Sequence, residues 1–111
     1  MRPIRVSVAA QAASAVVPLD SYNASFNVGI GVVLSAGSTL TFTVQYTYDD
    51  VNATGFDPAT ATWFSLTALA GKTANTDAPL TTPVTAVRLS VTAYTSGLAT
   101  MTVIQAGMPG N

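Results

Sequence analysis

Residues 39–48 carry the clearest alternation of apolar and polar side chains in the chain. The apolar side chains occupy every second position, which are Leu40, Phe42, Val44, Tyr46 and Tyr48, and threonine or glutamine fills the positions between them. Because successive side chains of a strand point to opposite faces of a sheet, this period of two predicts a strand with one buried face. Such a strand is typical of an antiparallel sheet that covers a core on one side.

Weaker versions of the same pattern predict strands elsewhere in the chain. The predicted ranges are 3–9, 14–19, 26–35, 39–48 and 62–69, followed by two strands within 84–106. Pro18 indicates an edge strand or a strand end, since proline has no backbone N–H to donate. Gly29 and Gly31 lie opposite the apolar side of their strand, which predicts a bulge, a bend or the close approach of another group.

The segment 84–106 contains two apolar runs on either side of Thr95-Ser96-Gly97. Residues of this kind between two β-rich runs form tight turns, so the segment is predicted to be a β-hairpin. On its first strand the apolar face consists of Val87, Leu89, Val91 and Ala93, and the first three of these are expected to lie in the core.

Seven to eight short strands with turn residues between them, and no convincing helix, predict an all-β fold. The architecture expected is an antiparallel β-sandwich, either a jelly roll or immunoglobulin-like. The length of 111 residues fits a single domain over 1–111, with two long loops at 49–60 and 70–83. Residues 1–13 and 108–111 are candidate arms that reach neighbouring subunits, because chain ends are easily ordered on binding.

The composition changes the expectation for the surface. Only 8% of the residues are charged and 49% are apolar, whereas charged residues make up about 25% of an ordinary soluble domain. One interpretation is a free domain of low charge. The other, which we favour, is a surface that packs on a partner or on copies of itself. With a net charge of −1 and no basic patch, no nucleic-acid partner is expected.

Neither a signal peptide nor a membrane segment is expected. Met1–Arg5 is basic, but no uninterrupted apolar stretch follows it. No apolar run approaches the length of about 18 residues that a transmembrane helix needs. A protein made and used in the cytoplasm, or joined to an assembly there, fits both observations.

The residue types present leave little room for catalysis. The chain has no cysteine, no histidine and no glutamate, so the commonest nucleophiles, bases and metal ligands are missing. We therefore expect no enzymatic activity and no cofactor. Asp49, Asp50 and Asp57 are weak candidates for a Ca²⁺ site, because Ca²⁺ binds clustered carboxylates in loops. The alternative is a solvated loop in which these aspartates hold turns.

Arg88 is an isolated charge in the middle of an apolar strand. If it faces the core it needs a partner, and we expect a structural clasp to Asp49 or Asp50. If it faces outward it shares a polar sheet face with Ser90 and Thr92. A set of aromatic residues is either part of the core, which we favour, or a sugar-binding platform: Tyr22, Tyr46, Tyr48, Phe56, Trp63 and Phe64.

Three segments of the chain, PIRVSV at 3–8, TVQYTYDDV at 43–51 and the whole of 62–107, carry a family resemblance. They resemble short β-rich proteins among the structural genes of tailed bacteriophages, which serve as capsid decoration, cement or head-accessory subunits. The resemblance implies a β-sandwich without catalytic residues that sits on the virion as a homodimer or homotrimer and bridges major capsid proteins.

Two other functions remain open beside this one. The segment AVRLSVTA at 86–93 is more weakly similar to a late strand of jelly-roll carbohydrate-binding modules, although their calcium and aromatic patterns are missing here. A tail or neck component of the phage is a second structural alternative.

Overall fold

The computed structural model describes residues 4–19, 27–51 and 53–105, and these residues form eight strands. The strands are β1 Ile4–Val8, β2 Val17–Pro18, β3 Val28–Leu34, β4 Thr39–Thr47, β5 Phe64–Ser65, β6 Thr76–Leu80, β7 Ala86–Ser96 and β8 Ala99–Gln105. The helical content of the described ranges is a 3₁₀ turn at Thr67–Leu69, and no described helix has the length and apolar character to cross a bilayer. The predicted all-β class is confirmed.

The strands form two antiparallel sheets of four, which we call the first sheet, in the order β1-β8-β3-β6, and the second sheet, in the order β2-β7-β4-β5. The chain is thus folded in half about the connection between β4 and β5, so that β1 pairs with β8, β2 with β7 and β3 with β6. This is the strand pairing of a jelly roll. In an immunoglobulin-like sandwich the first two strands would pair with each other, so that alternative does not apply.

The core lies between the two sheets and is built almost entirely from aliphatic side chains. Phe42, Ile30 and Leu89 are among the largest side chains that are completely buried there. Val87, Leu89 and Val91 all belong to this core, as predicted. Full burial of each such side chain is worth about 1.5–3 kcal/mol, which makes the inward rows the main source of stability.

Most of the predicted N-terminal arm belongs to the sandwich itself. Ile4–Val8 pairs with β8 along its whole length. Further on, Ala13 bridges Ser90, and the Val91 N–H donates to the Ala12 carbonyl at 2.9 Å. Residues 4–13 therefore do not extend away from the domain. The rest of that arm and the predicted arm at 108–111 lie outside the described residues.

The predicted hairpin at 84–106 is wrong. Its two strands, β7 and β8, lie in different sheets and do not pair with each other. Gly97, with φ of +106°, turns the chain from the second sheet into the first. A glycine at positive φ can serve either a tight turn or a sheet crossing, so the residue types alone could not distinguish them.

The sequence pattern does not predict β6, and it predicts a longer strand at β5 than the structure has. β6 lies inside the predicted loop 70–83, where Asp77 and Pro79 indicated turns. It is an edge strand, and an edge position tolerates proline. The predicted strand 62–69 contains only the two residues of β5 followed by the 3₁₀ turn.

The chain passes from the first sheet to the second at residues 35–38 and from the second to the first at residues 97–98, and these two crossings are joined side by side. The Ser35 N–H donates to the Leu98 carbonyl at 2.9 Å, and the Leu98 N–H donates to Ser35 Oγ at 3.0 Å. The Tyr94 hydroxyl donates to the Gly97 carbonyl at 3.0 Å. A Cβ atom on Gly97 would overlap the Ser38 side chain. We call this cluster the double crossing.

The double crossing predicts a large effect for Gly97→Ala. Alanine combines the cost of positive φ with the overlap on Ser38, so we expect a loss of about 3 kcal/mol of unfolding free energy in urea titrations. Gly37→Ala is the matched control, because Gly37 also has positive φ but has nothing near its Cβ position. It should lose only about 1 kcal/mol. Equal losses of unfolding free energy for the two variants would show that the overlap with Ser38 does not affect stability.

Candidate functional site

Arg88 lies on the outer face of the second sheet and is half-buried under the loop that joins β4 to β5. Its Nε donates to Gln45 Oε1 at 2.8 Å from the neighbouring strand. The Trp63 ring covers the guanidinium, with Cζ 4.2 Å from the ring centroid, and the Trp63 Nε1–H donates to the Pro58 carbonyl at 2.9 Å. The arginine therefore fastens the loop to the sheet through a cation–π contact and a hydrogen bond.

The partners of Arg88 differ from those expected. Gln45, Trp63 and Pro58 contact it, and the predicted ion pair with Asp49 or Asp50 is not among these contacts. Because the guanidinium lies outside the core, it does not need a carboxylate partner. Partial burial lowers the pKa of Arg88 from its ordinary value, but arginine remains charged at physiological pH.

The aspartates of the loop hold its backbone. Asp49 Oδ2 accepts the Thr62 N–H at 2.8 Å, which closes the loop at its base. Asp57 Oδ1 accepts the Ala59 N–H at 2.9 Å within a turn. The Asp50 carbonyl accepts the Ala53 N–H at 3.1 Å. Within 4–19, 27–51 and 53–105, no group of three or more acidic side chains is arranged to hold a metal ion.

Three aromatic rings form a partly exposed cluster where β4 ends beside β5, which we call the aromatic patch. The ring centroids of Tyr46, Tyr48 and Phe64 are 5.7–5.9 Å apart. Tyr46 packs against the core, whereas Tyr48 is 52% exposed and Phe64 is 44% exposed. The expectation that these aromatics belong to the core is wrong for Tyr48 and Phe64. In the sequence the alternation of β4 runs on to Tyr48, although the strand itself ends at Thr47.

The outer face of the first sheet, which we call the glycine face, has few large side chains. Three rows of outward-facing residues cross it: Ile104–Gly29–Pro79, Arg5–Thr102–Gly31–Asp77 and Ser7–Thr100–Val33. A shallow trough of about 410 Å³ lies over the two glycines. Val33 and Ile104 are 56% and 47% exposed.

Nothing inside the described chain requires glycine at 29 or 31. Neither has positive φ, and a Cβ at either position would meet its nearest neighbour at 3.9 Å, an ordinary contact distance. The register of β3 with both neighbours is continuous, which excludes the bulge that the sequence allowed. The bend and the close approach of another group stay predictions, since no atom of the described chain comes nearer than ordinary contact distance to either Cβ position.

Comparison with known proteins gives no relative for this chain. No protein-family model matches it, and no significant match exists among curated proteins or solved structures. The features of the described chain that bear on its function are the aromatic patch, the glycine face and the loop held by Arg88.

The arginine contacts predict a specific energetic coupling. In a double-mutant cycle, Arg88→Met and Trp63→Leu should show a coupling of about 1 kcal/mol in urea unfolding, because each change removes the same cation–π contact. The control cycle pairs Arg88→Met with Asp49→Asn and should be additive. Coupling in the control cycle, with none in the first cycle, would show that Arg88 holds the loop through an ion pair with Asp49 and not through Trp63.

Proposed function

We propose that this chain is a non-enzymatic structural protein of the virion, which decorates or cements the capsid of a tailed bacteriophage. It would be assembled in the host cytoplasm and bind the major capsid protein. The observation that carries the proposal is the aromatic patch, in which Tyr48 and Phe64 are exposed at the end of a rigid sandwich.

Several properties of the aromatic patch suit contact with another protein. The centres of protein–protein interfaces are rich in tyrosine and phenylalanine and poor in charge, and single aromatic anchors often dominate the affinity. The rings are fixed by packing on one another and, through Tyr46, on the core. Little conformational entropy is then lost when they enter a groove on the capsid.

The mechanism we propose is mechanical. A subunit whose aromatic patch binds one capsid protein, and whose other surfaces contact a neighbour, raises the free energy needed to separate the two. A chain with only 8% charged residues supports this role, since most of its surface can be covered without burying unpaired charges. The jelly-roll fold is compatible with it but does not by itself indicate a function.

Carbohydrate binding is the second candidate, and it rests on the same exposed rings. Tyr48 packs edge-on against both other rings, with interplanar angles of 86° and 65°. Rings that cover one another in this way form a compact apolar knob rather than a flat platform for a sugar. We therefore favour a protein partner, and a tail or neck protein is the structural alternative to the capsid.

The test is co-sedimentation with undecorated, expanded capsids assembled from the major capsid protein encoded in the same genome. The native chain should bind. The double variant that carries Tyr48→Ser and Phe64→Ser should bind at least about tenfold more weakly, because aromatic anchors at interface centres carry much of the affinity. Leu98→Ser is the matched control, since Leu98 is also an exposed apolar residue, at 38%, but lies at the double crossing.

A glycan array and purified tails are the parallel arms of this experiment. Retention of a sugar without binding to capsids would replace the proposal with the carbohydrate-binding function. Binding to tails alone would move the protein to the tail or neck. Equal capsid binding by the double variant and the native chain would show that the aromatic patch does not contribute to capsid binding.

A further inference from the structure

We propose that the glycine face binds the glycine face of a second copy of this chain, around a two-fold axis that runs parallel to the strands between β8 and β3. This inference concerns the first sheet and does not depend on capsid binding, which we assign to the aromatic patch on the second sheet.

The two glycines of the glycine face lower the stability of the isolated chain. Glycine in a strand is destabilising, because it loses more backbone entropy on folding and has no side chain to pack. Gly29 and Gly31 have space for a side chain and ordinary backbone angles. The stability that the monomer gives up at these positions is recovered if a second surface packs directly on the bare backbone.

The shape of the glycine face fits a second copy of itself. A two-fold axis between β8 and β3 places β8 of each copy over β3 of the other. The register puts Ile104 and Gly29 in one row and Thr102 and Gly31 in the next. The exposed Ile104 of one copy therefore lies over Gly29 of the other, and Thr102 lies over Gly31. The larger side chains on β8 meet the trough over β3, and the surface is complementary to itself, as a two-fold interface must be.

The charges of the glycine face also fit a second copy of itself. The row Arg5–Thr102–Gly31–Asp77 has a cation on β1 and an anion on β6, which are the two edges of the sheet. The same axis brings Arg5 of each copy opposite Asp77 of the other and so forms two ion pairs. Both side chains are exposed, and neither forms an ion pair with another residue in the described part of the chain. Packed sheets cross at about 30°, an offset that the long arginine side chain can span.

The size of the face sets the affinity expected. Four strands spaced about 4.8 Å apart give a face about 19 Å wide and roughly as long, or about 400 Å² on each copy. Stable complexes bury about 1,200–2,000 Å² in total, so this dimer should be weak, with a Kd on the order of 100 µM. Copies held close together on a larger assembly would be driven into the contact by their effective concentration.

Charge reversal tests the proposed axis directly. In sedimentation equilibrium over a wide range of concentrations, Arg5→Asp alone and Asp77→Arg alone should each dimerise about tenfold more weakly than the native chain, because two attractions become two repulsions. An equimolar mixture of the two variants should recover dimerisation, since each mixed contact then pairs opposite charges. Phe64→Ser, on the other sheet, should leave the dimer unchanged.

Gly29→Val separates association from folding. Valine favours the strand, so the variant should unfold at a temperature no lower than that of the native chain. It should also be monomeric at all concentrations, because its side chain occupies the space that Ile104 of the second copy needs. A native chain that stays monomeric at every concentration would overturn the proposal, as would a dimer unaffected by Gly29→Val or a mixture of charge variants that does not associate.

Discussion

The fold depends on the double crossing, where the chain passes twice between the sheets at one end of the sandwich. Ser35 bonds the backbone of Leu98 in both directions, and Gly97 lies so close to Ser38 that no side chain fits between them. β3 and β8 are neighbours in the first sheet, and β4 and β7 are neighbours in the second. If either crossing were displaced, both pairings would shift in register, and a shift of one residue would turn the apolar rows out of the core.

The sandwich leaves two outer sheet faces with different properties. Part of the second sheet is covered by the loop between β4 and β5, which Arg88 and Trp63 hold in place and which buries Thr47. The Thr47 hydroxyl donates to the Thr62 carbonyl at 2.8 Å. The first sheet has no comparable cover in the described part of the chain, and its outer face combines two glycines with exposed Val33 and Ile104. A surface with so few charged groups gains little free energy from hydration. We therefore expect the uncovered outer face of the first sheet and the aromatic patch to be the surfaces that contact other molecules.

The parts of the fold that depend on local alternation could be predicted from the sequence. The strands β3 and β4 and the core positions Val87, Leu89 and Val91 follow from a period of two. The assignment of strands to sheets could not be predicted, because alternation indicates which side of a strand is buried but not which other strand it pairs with. Alternation likewise singles out Arg88 as a charge in an apolar strand, whereas its contacts with Gln45 and Trp63 depend on strand register and on the path of a loop. The exposure of Tyr48 and Phe64 depends on where the sheet ends, which the residue types do not specify.

The most direct test of the functional account is a cryo-EM reconstruction of the capsid assembled with this chain, at a resolution that separates the strands. We expect the aromatic patch, with Tyr48 and Phe64, to be buried against the major capsid protein, and the first sheet to face another copy of the chain. A capsid without density for the chain, or with the aromatic patch open to solvent, would contradict the proposed function.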